Sequence, residues 1–188
     1  MRDLVNLFLK ESDMKQLLDY TGQVVLVTGA RSGIGQAAAI AFAERGAKVV
    51  LAGRRPCTET GKTILGAGGE ATFVACDVSN ENDVIHLIEQ TIDIYGKLDV
   101  AVNNAGTLPP TADIEGQRTA DFDHTFDVDA RGVFLCMKHE IPKMLKNETG
   151  GAIINISSVS GIMGNLLFFD PSEDSFSKNA GRLSFLSI

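Results

Sequence analysis

The chain has 188 residues, of which 44% are hydrophobic and 22% charged, and its formal net charge is −7. A chain of this length buries roughly 70% of its unfolded surface, which is enough for one domain with a core of its own. Its negative charge repels phosphate backbones and anionic lipids, so nucleic acids and membrane surfaces are disfavoured as partners.

Two units are predicted along the chain. Residues 1–21 are expected to form an amphipathic helical extension, whose apolar run is interrupted by charges. The run is too short and too charged to span a membrane. Residues 22–188 form the main domain. The isolated Cys57, Cys76 and Cys136 are expected to be core thiols in a reducing compartment, which favours a cytoplasmic protein. The scattered histidines indicate no metal site.

Short apolar runs alternate with helical patterns through the main domain. The predicted strands cover 23–30, 47–53, 71–78, 98–106 and 151–158. The predicted helices cover 33–46, 58–65, 82–95 and 122–145, the third capped by Ser79. Such alternation predicts an α/β fold, a doubly wound parallel sheet of Rossmann type that binds ligands beyond the carboxyl ends of its strands.

The stretch "TGARSGIG" (28–35) connects the first strand to the first helix. Gly29 is placed to make the tight turn, Gly33 to let backbone approach a pyrophosphate, and Gly35 to bring helix and strand close together. The helix N-terminus then offers unpaired N–H groups to the phosphates. A plain strand-to-helix turn is the alternative.

Two further motifs end later strands, "NNAG" (103–106) after the fourth and "NISS" (155–158) after the fifth. Asn103 is predicted to bond across strands, although a simple Asn-Ala-Gly turn is the alternative. Together with the glycine loop, these motifs resemble the short-chain dehydrogenase/reductase family, from about Gly22 to Gly164. The resemblance implies an oxidoreductase that moves a hydride between a nicotinamide cofactor, NAD or NADP, and an alcohol or ketone.

The resemblance also assigns the cofactor's phosphates to the glycine loop. It implies that the pyrophosphate and ribose are surrounded by Gly29, Ser32, Gly33, Ile34 and Gly35.

The same resemblance places the adenine and the floor of the site at the ends of later strands. Asp77 and Val78 are expected to flank the adenine, and the floor is expected to be lined by Asn104, Ala105 and Gly106.

The end of the second strand predicts the cofactor. An acidic residue there would bond the ribose 2′-OH of NAD, but the chain has Gly53 followed by Arg54 and Arg55. A guanidinium suits a 2′-phosphate, and Arg31 adds a further positive charge. NADP is therefore favoured over NAD, with solvated surface charges as the alternative reading of Arg54 and Arg55.

Three residues match the family's catalytic positions by resemblance. Ser158 takes the place of the serine that holds the substrate oxygen, although a strand-end hydroxyl is the alternative. Lys178 takes the place of the lysine that favours the phenolate and binds the nicotinamide ribose. Asp129 stands where the family often has an asparagine that supports a water chain, and an ionised aspartate donates no hydrogen bond.

The family's catalytic tyrosine is missing from the matching positions. Spacing from Ser158 places it at Pro171, and alignment on the lysine helix places it at Asp174. An ordinary ion pair between Asp174 and Lys178, four residues apart, is the simple reading. Loss of a well-placed general acid typically costs about 10²–10⁴ in rate.

The expected family strands and helices beyond Lys178 are also missing, so we expect a domain truncated at its C-terminus. The "LLFFDPSED" stretch (166–174) departs from the family pattern before "SKNAGRL" (177–183) returns to it, as a local frame change would produce. Two hypotheses follow. One is an NADP-dependent oxidoreductase of small alcohols or ketones. The other is an inactive nucleotide-binding or dimerising fragment, whose contact surface is the 122–145 helix.

Overall fold

The computed structural model describes residues 18–110, 112 and 114–158. The predicted helical extension lies outside the described residues as far as residue 17. Asp174 and Lys178 also lie outside them, so the structure leaves their predicted roles untested.

The described chain forms a five-stranded, fully parallel sheet in the order β3-β2-β1-β4-β5. Its strands are β1 (Val24–Thr28), β2 (Lys48–Gly53), β3 (Glu70–Ala75), β4 (Val100–Asn103) and β5 (Ala152–Asn155). The principal helices are α1 (Gly33–Ala43), α2 (Thr58–Gly66), α3 (Glu81–Tyr95), α4 (Thr119–Phe126) and α5 (Gly132–Met144). A short 3₁₀ turn spans Ile114–Gly116. The predicted α/β class and Rossmann-type sheet are confirmed.

Both faces of the sheet are covered by helices, because side chains alternate between the faces along each strand. In β1, Val24 and Leu26 pack in the cluster that contains α3 and α5. Val25 and Val27 pack in the cluster that contains α1 and α2. Burial on both faces explains why the parallel strands read as continuous apolar runs. All three cysteines are buried free thiols, as expected of core residues.

The long predicted helix at 122–145 differs from the observed one. The chain enters α4 earlier, at Thr119, and passes through a wider π-helical turn at Asp127–Arg131 before α5. Such a turn inserts an extra residue into the helical ladder, and π-turns of this kind are frequent at functional sites. Asp129, one of the predicted site residues, lies inside it.

The predicted cap of α3 was wrong by one residue. The Asn80 side chain accepts the hydrogen bond of the Asn82 N–H at 3.0 Å and caps the helix. The Ser79 hydroxyl instead donates to Asp77 Oδ1 at 2.7 Å. Its only proton is therefore committed to the preceding loop.

Candidate cofactor site

The sheet order places the candidate site beyond the carboxyl ends of β1 and β4. Chain order reverses between β1 and β4, which are neighbours, and ligands of open α/β sheets bind beyond the carboxyl ends at such a reversal. The glycine loop follows β1, and the Asn104–Gly106 segment follows β4. The two predicted cofactor loops therefore lie side by side.

The glycine loop has the geometry that its sequence predicts. Gly29 has φ +66°, and a Cβ there would lie 2.9 Å from the Ala105 Cα. A Cβ on Gly35 would lie 2.5 Å from the Gly29 carbonyl oxygen, so only glycine permits this approach of α1 to the loop. Gly33 has φ +59°, and no described atom lies within 4 Å of the position its Cβ would take. The loop is closed on the protein side and open beside Gly33.

The N-terminus of α1 is available to an anion. Ser32 is the N-cap residue, and its side chain makes no capping hydrogen bond among the described residues. The first turn carries no acidic side chain, and Ile34 is 63% exposed there. The first-turn N–H groups and the positive end of the helix dipole therefore suit a phosphate group.

Thr28 and Asn104 join the two loops. Thr28 Oγ1 accepts hydrogen bonds from the backbone N–H groups of Asn104 and Ala105, both at 3.0 Å. Asn104 Nδ2 donates to the carbonyl oxygens of Thr28 at 3.0 Å and Gly29 at 3.3 Å. The predicted floor is therefore bonded directly to the glycine loop. The sequence analysis missed Thr28, although a threonine at the last position of a buried strand was a usable signal.

Gly106 brings the floor against Asp129. The Thr107 N–H donates to Asp129 Oδ1 at 2.8 Å, and a Cβ on Gly106 would lie 3.5 Å from the same oxygen. Burial raises the pKa of Asp129, although the Thr107 bond and the charge of His124 act in the opposite direction. Asp129 thus anchors the floor segment by accepting a backbone hydrogen bond, a role open to asparagine as well.

Asp77 lies at the end of β3, on the side expected for the adenine. Burial favours its neutral form, but hydrogen bonds from Ser79 and the charges of Arg54 and His124 outweigh this effect, and its pKa is lowered. Its backbone N–H donates to Asp83 Oδ2 at 3.0 Å. Asp77 is therefore an ionised, fixed acceptor within electrostatic range of Arg54.

Val78 is buried, and its side chain faces α5. A Cβ on Gly132 would lie 2.9 Å from Val78 Cγ2, so glycine is needed for the close packing of this helix against the loop.

The two arginines favoured for a 2′-phosphate lie in different surroundings. Arg54 is exposed directly after β2 and acts electrostatically on Asp77. Arg31 is exposed in the glycine loop. Burial raises the pKa of the Cys57 thiol, and the charge of Arg31 partly opposes this rise. Cys57 is the N-cap residue of α2. The Arg31 charge therefore reaches the turn between β2 and α2.

The predicted catalytic side is described only in part. Ser158 lies three residues beyond β5, at the same edge as the cofactor loops, and is partly buried. The chain's two tyrosines lie toward the opposite side of the sheet, at the amino-terminal ends of its strands. Tyr20 precedes β1 and packs on Phe42. The Tyr95 hydroxyl lies 2.9 Å from Thr72 Oγ1, and the Lys48 ammonium lies 5.6 Å from its ring.

Asn103 and Glu140 form a buried polar pair next to the floor, of which the sequence analysis missed Glu140. Asn103 Nδ2 donates to Asn155 Oδ1 at 3.0 Å, which confirms the predicted bond across strands, and to Glu140 Oε2 at 3.1 Å. Within the described ranges, Asn103 Oδ1 and Glu140 Oε1 are buried without a partner. Burial raises the pKa of Glu140 to about 7, against the opposing effect of Asn103. A glutamate in a helical pattern gives no sign of such burial.

Membrane-spanning helices and metal-binding clusters are both absent from the described part of the chain. None of its helices has the length and apolarity to cross a membrane. It contains no group of three or more His, Cys, Asp and Glu side chains arranged to hold a metal ion.

A family model, several curated proteins and several solved structures are similar to this chain. The short chain dehydrogenase family model matches residues 23–169. The chain is 42% identical over 149 residues to an uncharacterized oxidoreductase of Thermotoga maritima, covering 78% of this chain and 58% of that protein. It is also 42% identical to (+)-borneol dehydrogenase 2 of Salvia officinalis, with coverage of 83% and 56%.

Among solved structures, the fold is similar to a short-chain type dehydrogenase/reductase from Mycobacterium marinum. The TM-score is 0.77 at 33% identity, over 80% of this chain and 62% of that one. The chain thus spans somewhat over half the length of the relatives it matches. The family model covers more than half of the chain itself, and it covers the glycine loop, both strand-end motifs and the whole described sheet. The chain belongs to the short-chain dehydrogenase family.

Proposed function

We propose that the chain forms the cofactor-binding half of an NADP-dependent oxidoreductase that interconverts small alcohols and ketones. The observation that carries the proposal is the pair of bonded loops at the β1–β4 reversal. Thr28 and Asn104 hold these loops together, and the Ser32 side chain beside them makes no capping hydrogen bond to the described residues at the N-terminus of α1. When bound, a nicotinamide cofactor supplies or accepts the hydride of the family's reaction.

The residues at this edge fit such a cofactor. The N–H groups at the start of α1 would hold the pyrophosphate, with Ser32, Gly33, Ile34 and Gly35 around it. Gly33 supports this assignment, because no described atom lies within 4 Å of the position that a Cβ on this residue would take.

The remaining cofactor contacts are proposed from position. Asp77 and Val78 would flank the adenine, and Asn104, Ala105 and Gly106 would form the floor. The ionised Asp77 and the hydrogen-bonded Asn104 are both fixed before a ligand arrives, which reduces the ordering cost of binding.

The preference for NADP rests on charge at the end of β2. Arg54 is exposed in the turn after β2, where Rossmann folds read the ribose 2′ position, and the charge of the exposed Arg31 reaches Cys57 in the same turn. A 2′-phosphate would add paired acceptors for a guanidinium, and the charge-assisted bonds are about twice as strong as neutral ones.

The test is the ratio of dissociation constants for NADPH and NADH, measured by nicotinamide fluorescence. We expect NADPH to bind more tightly in the wild type, and Arg54→Ala to reduce that preference about tenfold. Arg55→Ala, its neighbour, is the matched control and should change it less. Equal affinities in the wild type would refute the NADP assignment.

For the catalytic side we propose that Ser158 holds the substrate oxygen, that Lys178 binds the nicotinamide ribose and that Asp129 keeps the floor in place. The Thr107 N–H on Asp129 Oδ1 supports the last of these roles. Small secondary alcohols with NADP⁺, followed by absorbance of the reduced cofactor, test the activity.

The positions of the tyrosines favour a second function, nucleotide binding without turnover. Tyr20 and Tyr95 lie toward the amino-terminal ends of the strands, whereas Ser158 follows the carboxyl end of β5. Neither tyrosine is therefore placed to exchange a proton with a substrate beside Ser158. Saturable NADPH binding with no oxidation or reduction of a broad alcohol and ketone panel would establish this second function. Turnover abolished by Ser158→Ala would establish the first.

We propose finally that α5 is the contact surface with a second copy of the chain. Phe134 and Ile141 on α5 share one side with Leu145, the residue that directly follows the helix, by their spacing. Phe134 and Leu145 are 61% and 75% exposed. Light scattering behind a sizing column tests this, with Phe134→Glu expected to give a smaller species. A wild-type monomer would contradict it.

A further inference from the structure

The Thr60 hydroxyl occupies a position in the fold that the proposed function does not yet use. Thr60 lies in the first turn of α2 and is fully buried. Its hydroxyl donates to the Ala30 carbonyl oxygen at 2.8 Å, and the Arg31 carbonyl oxygen lies farther away, at 3.5 Å. Gln36 Nε2, on α1, donates to the same hydroxyl at 3.1 Å. One side chain therefore connects α2, α1 and the glycine loop.

The direction of these bonds fixes the hydroxyl. A threonine hydroxyl has one proton, and the short contact to Ala30 uses it. Gln36 Nε2 donates to the hydroxyl oxygen, so this oxygen acts as the acceptor toward α1. The hydroxyl proton is therefore directed at the Ala30 carbonyl oxygen of the loop. On its other side, the Ala30 N–H donates to the Ala52 carbonyl oxygen of β2 at 3.3 Å. Ala30 is thereby held between β2 and α2.

The residue that follows is Arg31, whose side chain is exposed. Its charge acts on Cys57, which precedes α2 and lies next to Gly53 at the end of β2. This is the turn expected to read the 2′ position of the cofactor's ribose. The anchored Ala30 peptide therefore sets where the Arg31 side chain departs from the loop.

We propose that Thr60 is a positioning residue for cofactor choice, holding the 30–31 peptide so that Arg31 faces the 2′-phosphate. The inference rests on the proposed NADP function. Because Thr60 is fully buried, we expect it to act through Arg31 and not by direct contact with the cofactor. Without its hydroxyl, the Ala30 carbonyl is left buried without that donor, and the loop samples other arrangements. NADPH then has to select the molecules in which Arg31 faces its 2′-phosphate, which lowers its apparent affinity by the fraction that keep this arrangement, whereas NADH has no 2′-phosphate to lose a contact.

The test measures dissociation constants for NADPH and NADH in Thr60→Val, which keeps the shape and removes the hydroxyl. We expect about a tenfold weaker NADPH affinity, as if one molecule in ten kept the loop arrangement, with NADH affected much less. Thr60→Ser retains the hydroxyl and should restore the wild-type ratio. Thr63→Val is the matched control, because Thr63 lies on the same helix and, among the described residues, its hydroxyl donates only to the Glu59 carbonyl oxygen of its own turn.

A second cycle tests the route through Arg31. In an Arg31→Ala background, Thr60→Val should no longer change the NADPH to NADH ratio. Circular dichroism shows which variants fold. If Thr60→Val does not fold, Gln36→Met replaces it as the test variant. Gln36→Met removes the donor that orients the Thr60 hydroxyl, so it should shift the ratio of NADPH to NADH affinity in the same direction by a smaller factor.

The outcomes separate the inference from the proposed function. Equal weakening of both cofactors by Thr60→Val would overturn the inference, because it indicates a general structural role. A ratio change that persists without Arg31 would also overturn it. A wild type that binds neither cofactor, or binds both equally, would overturn the proposed NADP function and this inference with it.

Discussion

Replacement of Glu140 by glutamine should stabilise the protein above neutral pH. Glu140 is fully buried on α5, and one of its oxygens has no partner among the described residues. Its folded pKa is about 7, against an ordinary value of 4.5. The folded state therefore binds a proton that the unfolded state releases between these values, so stability falls as pH rises from about 4.5 to about 7.

The pKa difference corresponds to about 3 kcal/mol of folding free energy lost above neutral pH. Glutamine avoids this loss because it stays neutral. It also keeps an acceptor for Asn103 and replaces the unpartnered oxygen with a donor. We expect Glu140→Gln to exceed the wild type by about 1–3 kcal/mol at pH 8 and to match it near pH 4.5.

Urea unfolding followed by circular dichroism at both pH values provides the measurement. Glu89→Gln, an exposed glutamate on α3, is the matched control and should change stability little. If Glu140→Gln is less stable than the wild type at pH 8, or if the difference between the two is the same at both pH values, then Glu140 is ionised in the fold and the reasoning fails.

Three further substitutions test the site. Thr28→Val removes the acceptor of two backbone N–H groups and should cost about 2–4 kcal/mol in urea unfolding, with Thr28→Ser recovering most of it. Gly35→Ala places a Cβ against the glycine loop and should weaken NADPH binding at least about tenfold, whereas Gly66→Ala, which has open space among the described residues, should not. Asp129→Asn keeps an acceptor for Thr107 and removes a carboxyl whose pKa is raised. Because the raised pKa costs stability as pH rises above 3.8, this variant should have the higher Tm at pH 8, and the gain should vanish near pH 4. A Tm gain at pH 4 as large as at pH 8 would contradict it.

The sheet was predictable because its signals are local. Strands buried on both faces require continuous apolar runs, and the order of runs and helical patterns specifies the parallel class. The conformations of Gly29 and Gly35 follow from the same logic, because a turn with positive φ and a close approach of helix to strand both require glycine.

What the sequence could not predict depends on tertiary contacts. Thr60 and Glu140 look like ordinary helical polar residues, and only the packing of α2 and α5 buries them. Ser79 was a plausible cap until Asp77 was seen to take its hydroxyl proton. The π-turn around Asp129 was not predicted because it shifts the helical phase by a single residue, and the helices on either side are too short for that shift to stand out in the hydrophobic pattern.

The central claim is that the two loops at the β1–β4 reversal form a working cofactor site, and direct titration tests it best. The purified chain is titrated into NADPH while nicotinamide fluorescence is followed, with Gly35→Ala titrated in parallel. We expect saturable binding of one NADPH per chain, with an affinity at least about tenfold weaker in Gly35→Ala. An unsaturable signal from folded wild-type protein, or equal binding by the variant, would contradict it.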